Sequence, residues 1–222
     1  MEHKRLTLFA GHYGSGKTNI AVNYAMLLAK EGKKVCIADL DIVNPYFRTK
    51  DSERELTELG ISMISPRYAN TNVDLPALPA ESYRLVQDRS VFGVADIGGD
   101  DRGAYALGRF ADAIKAEDNY RMAFVINRHR PLTSTVRDTL EIMREIEAAS
   151  GIPFNCIVNN SNIGSETTPG TVLGSVAFAE EVSLAAGLPI WLHTAEKCVA
   201  KEISEISVFP LTLQKKYFDL PD

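Results

Sequence analysis

Short apolar runs alternate with longer amphipathic stretches along this chain, a pattern that predicts parallel strands joined by crossover helices. The runs Arg5–Ala10, Lys34–Leu40, Ile61–Ser65, Val91–Ile97, Met122–Asn127, Phe154–Asn159 and Ile190–His193 have strand length. Several are apolar almost throughout, as a strand covered on both faces requires. Between the first two, TNIAVNYAMLLAKEG puts Ile20, Tyr24, Leu27 and Leu28 on one helical face, and Gly32 supplies a stop. TSTVRDTLEIMREIEAAS predicts a second helix, with Val136, Leu140, Met143 and Glu147 at helical spacing and Thr133 or Ser134 as its cap. A third is expected over Gly174–Ala186, ended by Gly187 and Pro189. The expected fold is an α/β domain: a mostly parallel central sheet of about seven strands with helices on both faces.

The stretch Pro66–Ala80 carries Asn70, Asn72, Pro76 and Pro79 and little periodicity, so it reads as a long loop, either functional or a surface insertion. No repeat, low-complexity tract or linker interrupts the pattern, and residues 1–222 are expected to form one domain. Composition narrows the function classes. Hydrophobic content of 45% and charged content of 24% argue against a disordered or fibrous chain. A net charge of −5 offers no overall attraction to nucleic acid or anionic lipid. No segment approaches the ~20 apolar residues that cross a bilayer, so neither nucleic acid nor membrane is an expected partner. Cys36, Cys156 and Cys198 are widely separated and form no CxxC or Cys/His cluster, which suits buried, reduced thiols of a cytoplasmic protein. The start of the chain reaches its glycine-rich segment too soon to hold a secretory signal.

That segment, Gly11-His12-Tyr13-Gly14-Ser15-Gly16-Lys17-Thr18, matches the P-loop (Walker A) pattern G-x-x-x-x-G-K-[ST]. Glycines let the backbone turn so that successive N–H groups converge on phosphate oxygens, and Lys17 neutralises β/γ charge. Thr18 offers a hydroxyl to Mg²⁺, and the helix that starts there, with Asn19 in its first turn, adds its positive dipole end. An incidental glycine turn would lack the strand before it and the helix after it. The second strand ends Asp39-Leu40-Asp41, and period-two alternation puts both carboxylates on one side. The fourth ends at Asp96, followed by Ile97, Gly98 and Gly99. An acidic strand end beside a P-loop is placed to hold the metal's water ligands, and the glycines let backbone approach a γ-phosphate.

Together these segments resemble the MinD/ParA (CobQ/CobB/MinD/ParA) branch of P-loop ATPases, which includes nitrogenase-iron-protein-like and metal-insertion ATPases. DLDIVNPYFR looks like its switch I, VADIGGDD like its switch II, and Ile157-Val158-Asn159-Asn160 like its adenine-reading segment. The resemblance implies an ATP/ADP- and Mg²⁺-dependent ATPase acting as a switch on a protein or metalloenzyme partner, with an ATP-dependent homodimer. It implies that Lys17 and Thr18 hold phosphate and metal, that Asp41 orients the attacking water with Asp39 in support, that Asp96 anchors the metal's waters, and that Asn159 or Asn160 bonds the base. Strand-end capping is the structural alternative for the two asparagines. One departure is clear: the family's lysine after the first glycine is His12 here, and an imidazole that is mostly neutral near pH 7 delivers no comparable charge across an interface. Either another cation, Arg48 or Arg102, takes that role, or the dimer mechanism differs. A small-molecule kinase or ATP-dependent ligase is the rival reading, with Arg128, Arg130 or the loop at 66–80 binding the acceptor. Tyr13 faces the nucleotide or a partner, or simply packs. His193 reads as structural, and the last residues from Leu211 carry too few cations for a membrane-targeting helix.

Overall fold

The computed structural model describes residues 2–40, 53–64, 80–98 and 101–213. Its strands are β1 (Leu6–Ala10), β2 (Val35–Leu40), β3 (Ser62–Ile64), β4 (Phe92–Ile97), β5 (Tyr120–Ile126), β6 (Cys156–Asn159), β7 (Ile190–Glu196) and β8 (Val208–Leu211). They form one sheet in the order β3-β2-β4-β1-β5-β6-β7-β8, and every neighbouring pair is parallel. Around it lie α1 (Lys17–Lys30), α2 (Glu53–Glu58), α3 (Arg84–Gln87), α4 (Asp101–Gly108), α5 (Ala111–Glu117), α6 (Val136–Ser150), α7 (Pro169–Leu173), α8 (Val176–Ala186) and α9 (Lys197–Ala200).

The near-continuous apolar strands are explained by burial on both sides. Leu6, Leu8 and Ala10 of β1 face a layer built with Leu107, Phe110, Ile114, Leu140, Met143, Ile146 and Phe178, which come from the α4–α6 and α8 region. Phe9, Ile37, Val94, Val125 and Val158 face the opposite layer, where α1 packs Ile20, Ala21, Tyr24, Ala25 and Leu28. The chain builds β2, β3 and β4 to one side of β1 and β5 to β8 to the other, so direction reverses beside β1. Ligands of open α/β sheets bind outside the carboxyl ends of the strands at such a point. The loop after β1 occupies it.

The expected strands are all present, with ends shifted by a residue or a few. An eighth, β8, joins them at the edge beside β7. Its Pro210 lacks an N–H, which an edge strand tolerates because one side carries no ladder. The second helix is capped by Thr135 rather than Thr133 or Ser134: the Asp138 N–H donates to Thr135 Oγ1 at 3.2 Å. Thr133 is buried and donates instead to the Asn127 carbonyl at 2.7 Å. The third helix is two, because Gly174 and Ser175 part α7 from α8. Cys36 and Cys156 are buried, and burial raises both thiols, Cys156 to about 12. Cys198 is exposed, against expectation. Among the described residues no helix is long and apolar enough to cross a membrane.

At the amino end of the sheet, Arg5 is paired with Glu117 at the end of α5, and both side chains are almost wholly buried. The same guanidinium donates to the Leu85 and Val91 carbonyls at 2.9 and 3.2 Å. Removing one partner of such a pair strands the other charge away from water. Glu117→Ala should therefore cost about 3–5 kcal/mol of stability in urea denaturation; a loss below about 1 kcal/mol would show the guanidinium to be solvated rather than dependent on the pair.

Candidate functional site: the loop after β1

Between Ala10 and Lys17 the backbone makes a turn that only glycine permits at two positions. Gly14 and Gly16 have φ of 76° and 88°, in the left-handed region. At Gly11 the reason is space: a Cβ there would sit 2.3 Å from the Val125 carbonyl oxygen of β5. A Cβ at Gly16 would meet Asn160 Nδ2 at 2.2 Å. The Ser15 N–H closes the turn onto the His12 carbonyl at 3.1 Å, and Lys17 Nζ reaches back to the same oxygen at 3.5 Å. Ser15, Lys17 and Thr18 are buried although the loop lies at the sheet's edge.

Two groups outside the loop hold its carbonyls. Asn160 Nδ2 donates to the Ser15 carbonyl at 2.7 Å, while Asn160 Oδ1 accepts from Thr194 Oγ1 at 2.6 Å. Arg130 Nε donates to the Gly14 carbonyl at 3.0 Å. Two carbonyls of the glycine turn are thus held by side chains from neighbouring loops, and an N–H-rich turn of this kind binds anions. Ser15 Oγ is buried and makes no hydrogen bond among the described residues, a polar atom that a bound phosphate oxygen would satisfy.

The acidic strand ends converge on the start of α1. Asp39 and Asp96 are register partners on adjacent β2 and β4, both almost fully buried on the α1 face of the sheet. Thr18 Oγ1 donates to Asp96 Oδ2 at 2.5 Å. A hydroxyl on the first helical turn, bonded to a carboxylate beside a second carboxylate, is the oxygen-rich donor set that Mg²⁺ uses with phosphate and water. No cluster of three His, Cys, Asp or Glu side chains gathers among the described residues. Mg²⁺ bound mainly through nucleotide and water needs none, so the residues present fit both the nucleotide and the ion.

The other candidate residues are dispersed. Asp41 and Arg48 lie outside the described residues, as do 66–79 of the expected long loop and Gly99; the side chain of Arg102 does too. Asn159 is buried, donating to Ser175 Oγ at 2.9 Å and accepting from Ser161 N and Oγ; its amide also contacts His193 Nδ1 at 3.2 Å. In this arrangement both amides of the Asn159-Asn160 pair are turned inward and bonded within the protein, Asn160 bracing the loop and Asn159 the strand end. Tyr13 is 55% exposed, so packing does not explain its ring. Arg128 turns away, donating to the Gly174 carbonyl at 2.8 Å and lying over the Phe178 ring. Burial, with Lys17 and Arg130 nearby, keeps the His12 imidazole below its ordinary value, against the opposing effect of its hydrogen bond to the Tyr13 carbonyl. Burial likewise lowers His193. Sequence reasoning assigned Arg130 to an acceptor and missed its grip on the loop, because nothing local signals a contact across 116 positions.

The family model described as the CobQ/CobB/MinD/ParA nucleotide binding domain matches residues 6–186 of this chain. A search of curated proteins finds no match. Among solved structures the chain is similar to the cell division protein FtsY of Thermotoga maritima, with a TM-score of 0.57 and 19% identity over 86% of this chain and 61% of that one. The signal recognition particle receptor FtsY of Elizabethkingia anophelis in complex with GDP gives 0.53 and 14% identity, covering 87% and 57%. The signal recognition particle 54 kDa protein of Aeropyrum pernix K1 in complex with GDP gives 0.52 and 19%, covering 86% and 41%. At these identities the likeness is one of fold, and this chain spans about three-fifths or less of each neighbour's length.

Two measurements check the geometry. Asn160→Ala leaves the Ser15 carbonyl and the Thr194 hydroxyl without their partner in a buried setting, and should cost about 1–3 kcal/mol in urea denaturation; a neutral effect would mean the brace is not formed. His12 gives a pH signature. Its folded pKa lies below the ordinary value, so below about pH 6.5 the unfolded chain takes up a proton that the folded chain resists. That contribution to stability is present above the unfolded pKa and is lost as pH falls through the folded one. His12→Gln should accordingly reduce the loss of stability between about pH 7 and pH 5, while an unchanged profile would show the imidazole to titrate normally.

Proposed function

This chain belongs to the CobQ/CobB/MinD/ParA nucleotide-binding family, and on that premise we propose that it binds ATP with Mg²⁺, hydrolyses it, and works as a nucleotide-controlled switch on a protein or metalloenzyme partner. The observation that carries the proposal is the contact of Thr18 Oγ1 with Asp96 at 2.5 Å beside a glycine loop whose Ser15 and Gly14 carbonyls are held by neighbouring side chains. It supports a reading in which the hydroxyl of the first helical turn, two buried strand-end carboxylates and Lys17 serve one phosphate–metal site.

In this reading the loop N–H groups and Lys17 bind the β- and γ-phosphates and stabilise the charge that grows on the transferring phosphoryl group. Thr18 offers its hydroxyl to Mg²⁺, and Asp96 and Asp39 orient the hydroxyl and the ion's water ligands. When bound, Mg²⁺ neutralises phosphate charge and fixes the phosphate chain's geometry. Asp41 positions the attacking water for in-line displacement. The buried setting of Lys17, Thr18 and Asp96 excludes bulk water and strengthens each of these interactions. Hydrolysis removes the γ-phosphate contacts and so changes the preferred arrangement of segments 42–50 and 97–103, which the partner reads. Adenine is the base we assign, with Asn159 or Asn160 meeting it by exchanging one of its internal hydrogen bonds for the base edge. A homodimer across the nucleotide is part of the same proposal, with His12 supplying no charge to it.

Lys17→Ala should lower phosphate release from ATP by about a hundredfold or more and abolish ATP binding in calorimetry; unchanged affinity would reject the cradle. Asp41→Ala should keep nucleotide and lose hydrolysis, whereas retained transfer to a metabolite in extract, followed by mass analysis, would favour the kinase reading. Competition between ATP and GTP decides the base, and a preference for GTP overturns the adenine assignment. Omitting Mg²⁺ should reduce phosphate release to background.

A further inference from the structure

The loop after β5 carries a cation that the proposed nucleotide site has not yet been given. Arg130 is exposed, stands just before the 3-10 turn at Pro131–Thr133, and reverses onto the loop after β1. Its Nε donates to the Gly14 carbonyl at 3.0 Å, and its guanidinium crowds the space a side chain on Gly14 would take: a Cβ built there would be 3.0 Å from Nε, 3.1 Å from Cζ and 3.4 Å from Nη2. The bareness of Gly14 is therefore what lets the guanidinium come so close. Its two terminal amino groups make no hydrogen bond or ion pair among the described residues. A guanidinium has five donors in a fixed plane; here one is committed to the Gly14 carbonyl, and the terminal amino groups remain for a ligand at the glycine turn.

We propose that Arg130 is the second polyphosphate-binding cation of this site, supplied from the same subunit, so that the triphosphate is held between the Lys17 ammonium and the Arg130 guanidinium. The inference rests on the nucleotide-binding reading above and adds to it the residue that completes the charge. Two formal positive charges then face a polyanion that one lysine alone under-neutralises, and the Arg130 plane can engage two oxygens at once. His12 stands close to both cations and is kept neutral, so it cannot take the role itself. The site as a whole needs no cation from a partner.

The test uses the full chain and calorimetry with ATP and with inorganic tripolyphosphate, at low and high salt, for Arg130→Ala, Arg130→Gln, Arg130→Lys and Lys17→Ala. Gln keeps a donor for the Gly14 carbonyl and removes the charge. Arg130→Ala and Arg130→Gln should each weaken both ligands by about tenfold or more and reduce the salt dependence of binding. Arg130→Lys should recover part of the loss, and thermal melting of the free variants should stay near that of the parent. If Arg130→Gln binds both ligands as the parent does, with the same salt dependence, Arg130 only braces the loop and the inference is overturned. Failure of this inference alone leaves Lys17→Ala still defective. If Lys17→Ala also binds normally, the nucleotide reading itself falls and takes this inference with it.

Discussion

A glycine-rich loop gains the backbone angles that turn its N–H groups toward an anion and gives up the side chains that would fix it in place. In this protein the fixing comes from neighbouring strands' loops. Asn160, after β6, holds the Ser15 carbonyl, Arg130, after β5, holds the Gly14 carbonyl, and the Val125 carbonyl fills the space that a side chain on Gly11 would need. Each restraint acts on a carbonyl or occupies side-chain space, so none of them uses an N–H donor of the turn. The site is preorganised because its framework is rigid sheet, and the framework reaches the loop through only a few polar contacts.

The two ends of the sheet divide their tasks. At the amino end, the buried Arg5–Glu117 pair and the carbonyls of Leu85 and Val91 join the start of β1 to two peripheral segments, a structural role. At the carboxyl end, polar groups are buried in number: Asp39, Asp96, Asn127, Asn159, Asn160, Ser161 and Thr194. Burial of so many polar groups is tolerable because neighbouring strand ends offer them partners, as Thr194 does for Asn160 and the Asn162 carbonyl for Asn127. The result is a set of buried polar groups at the carboxyl ends of β2 and β4 on one side of β1 and of β5 to β7 on the other.

Much of this was legible in the sequence, and the reasons are physical. Strands covered on both faces leave continuous apolar runs, and the loop motif carries its own chemistry in glycine, lysine and threonine. Asp39 and Asp96 were legible because alternation along a strand fixes their side, and register then set them next to each other. What escaped was anything decided by tertiary contact. The edge strand β8 hides behind Pro210, whose missing N–H imitates a loop although one side of that strand needs no donor. Thr135 was passed over as a cap because Thr133 looked equivalent, and only burial against the Asn127 carbonyl separates them. An amide's partner cannot be read from its neighbours in sequence, so the internal bonds of Asn159 and Asn160 were not legible there. The contact of Arg130 with the Gly14 carbonyl was hidden for the same reason.

The Thr194–Asn160–Ser15 chain of hydrogen bonds has an implication for how the loop folds. The hydroxyl that orients the brace belongs to β7, which follows the motif only after five further strands of the sheet. A segment comprising β1 and α1 alone holds every residue of the loop and still lacks this support. The shape of the loop is therefore coupled to docking of the seventh strand, and local motif and distant sheet edge take their native form together.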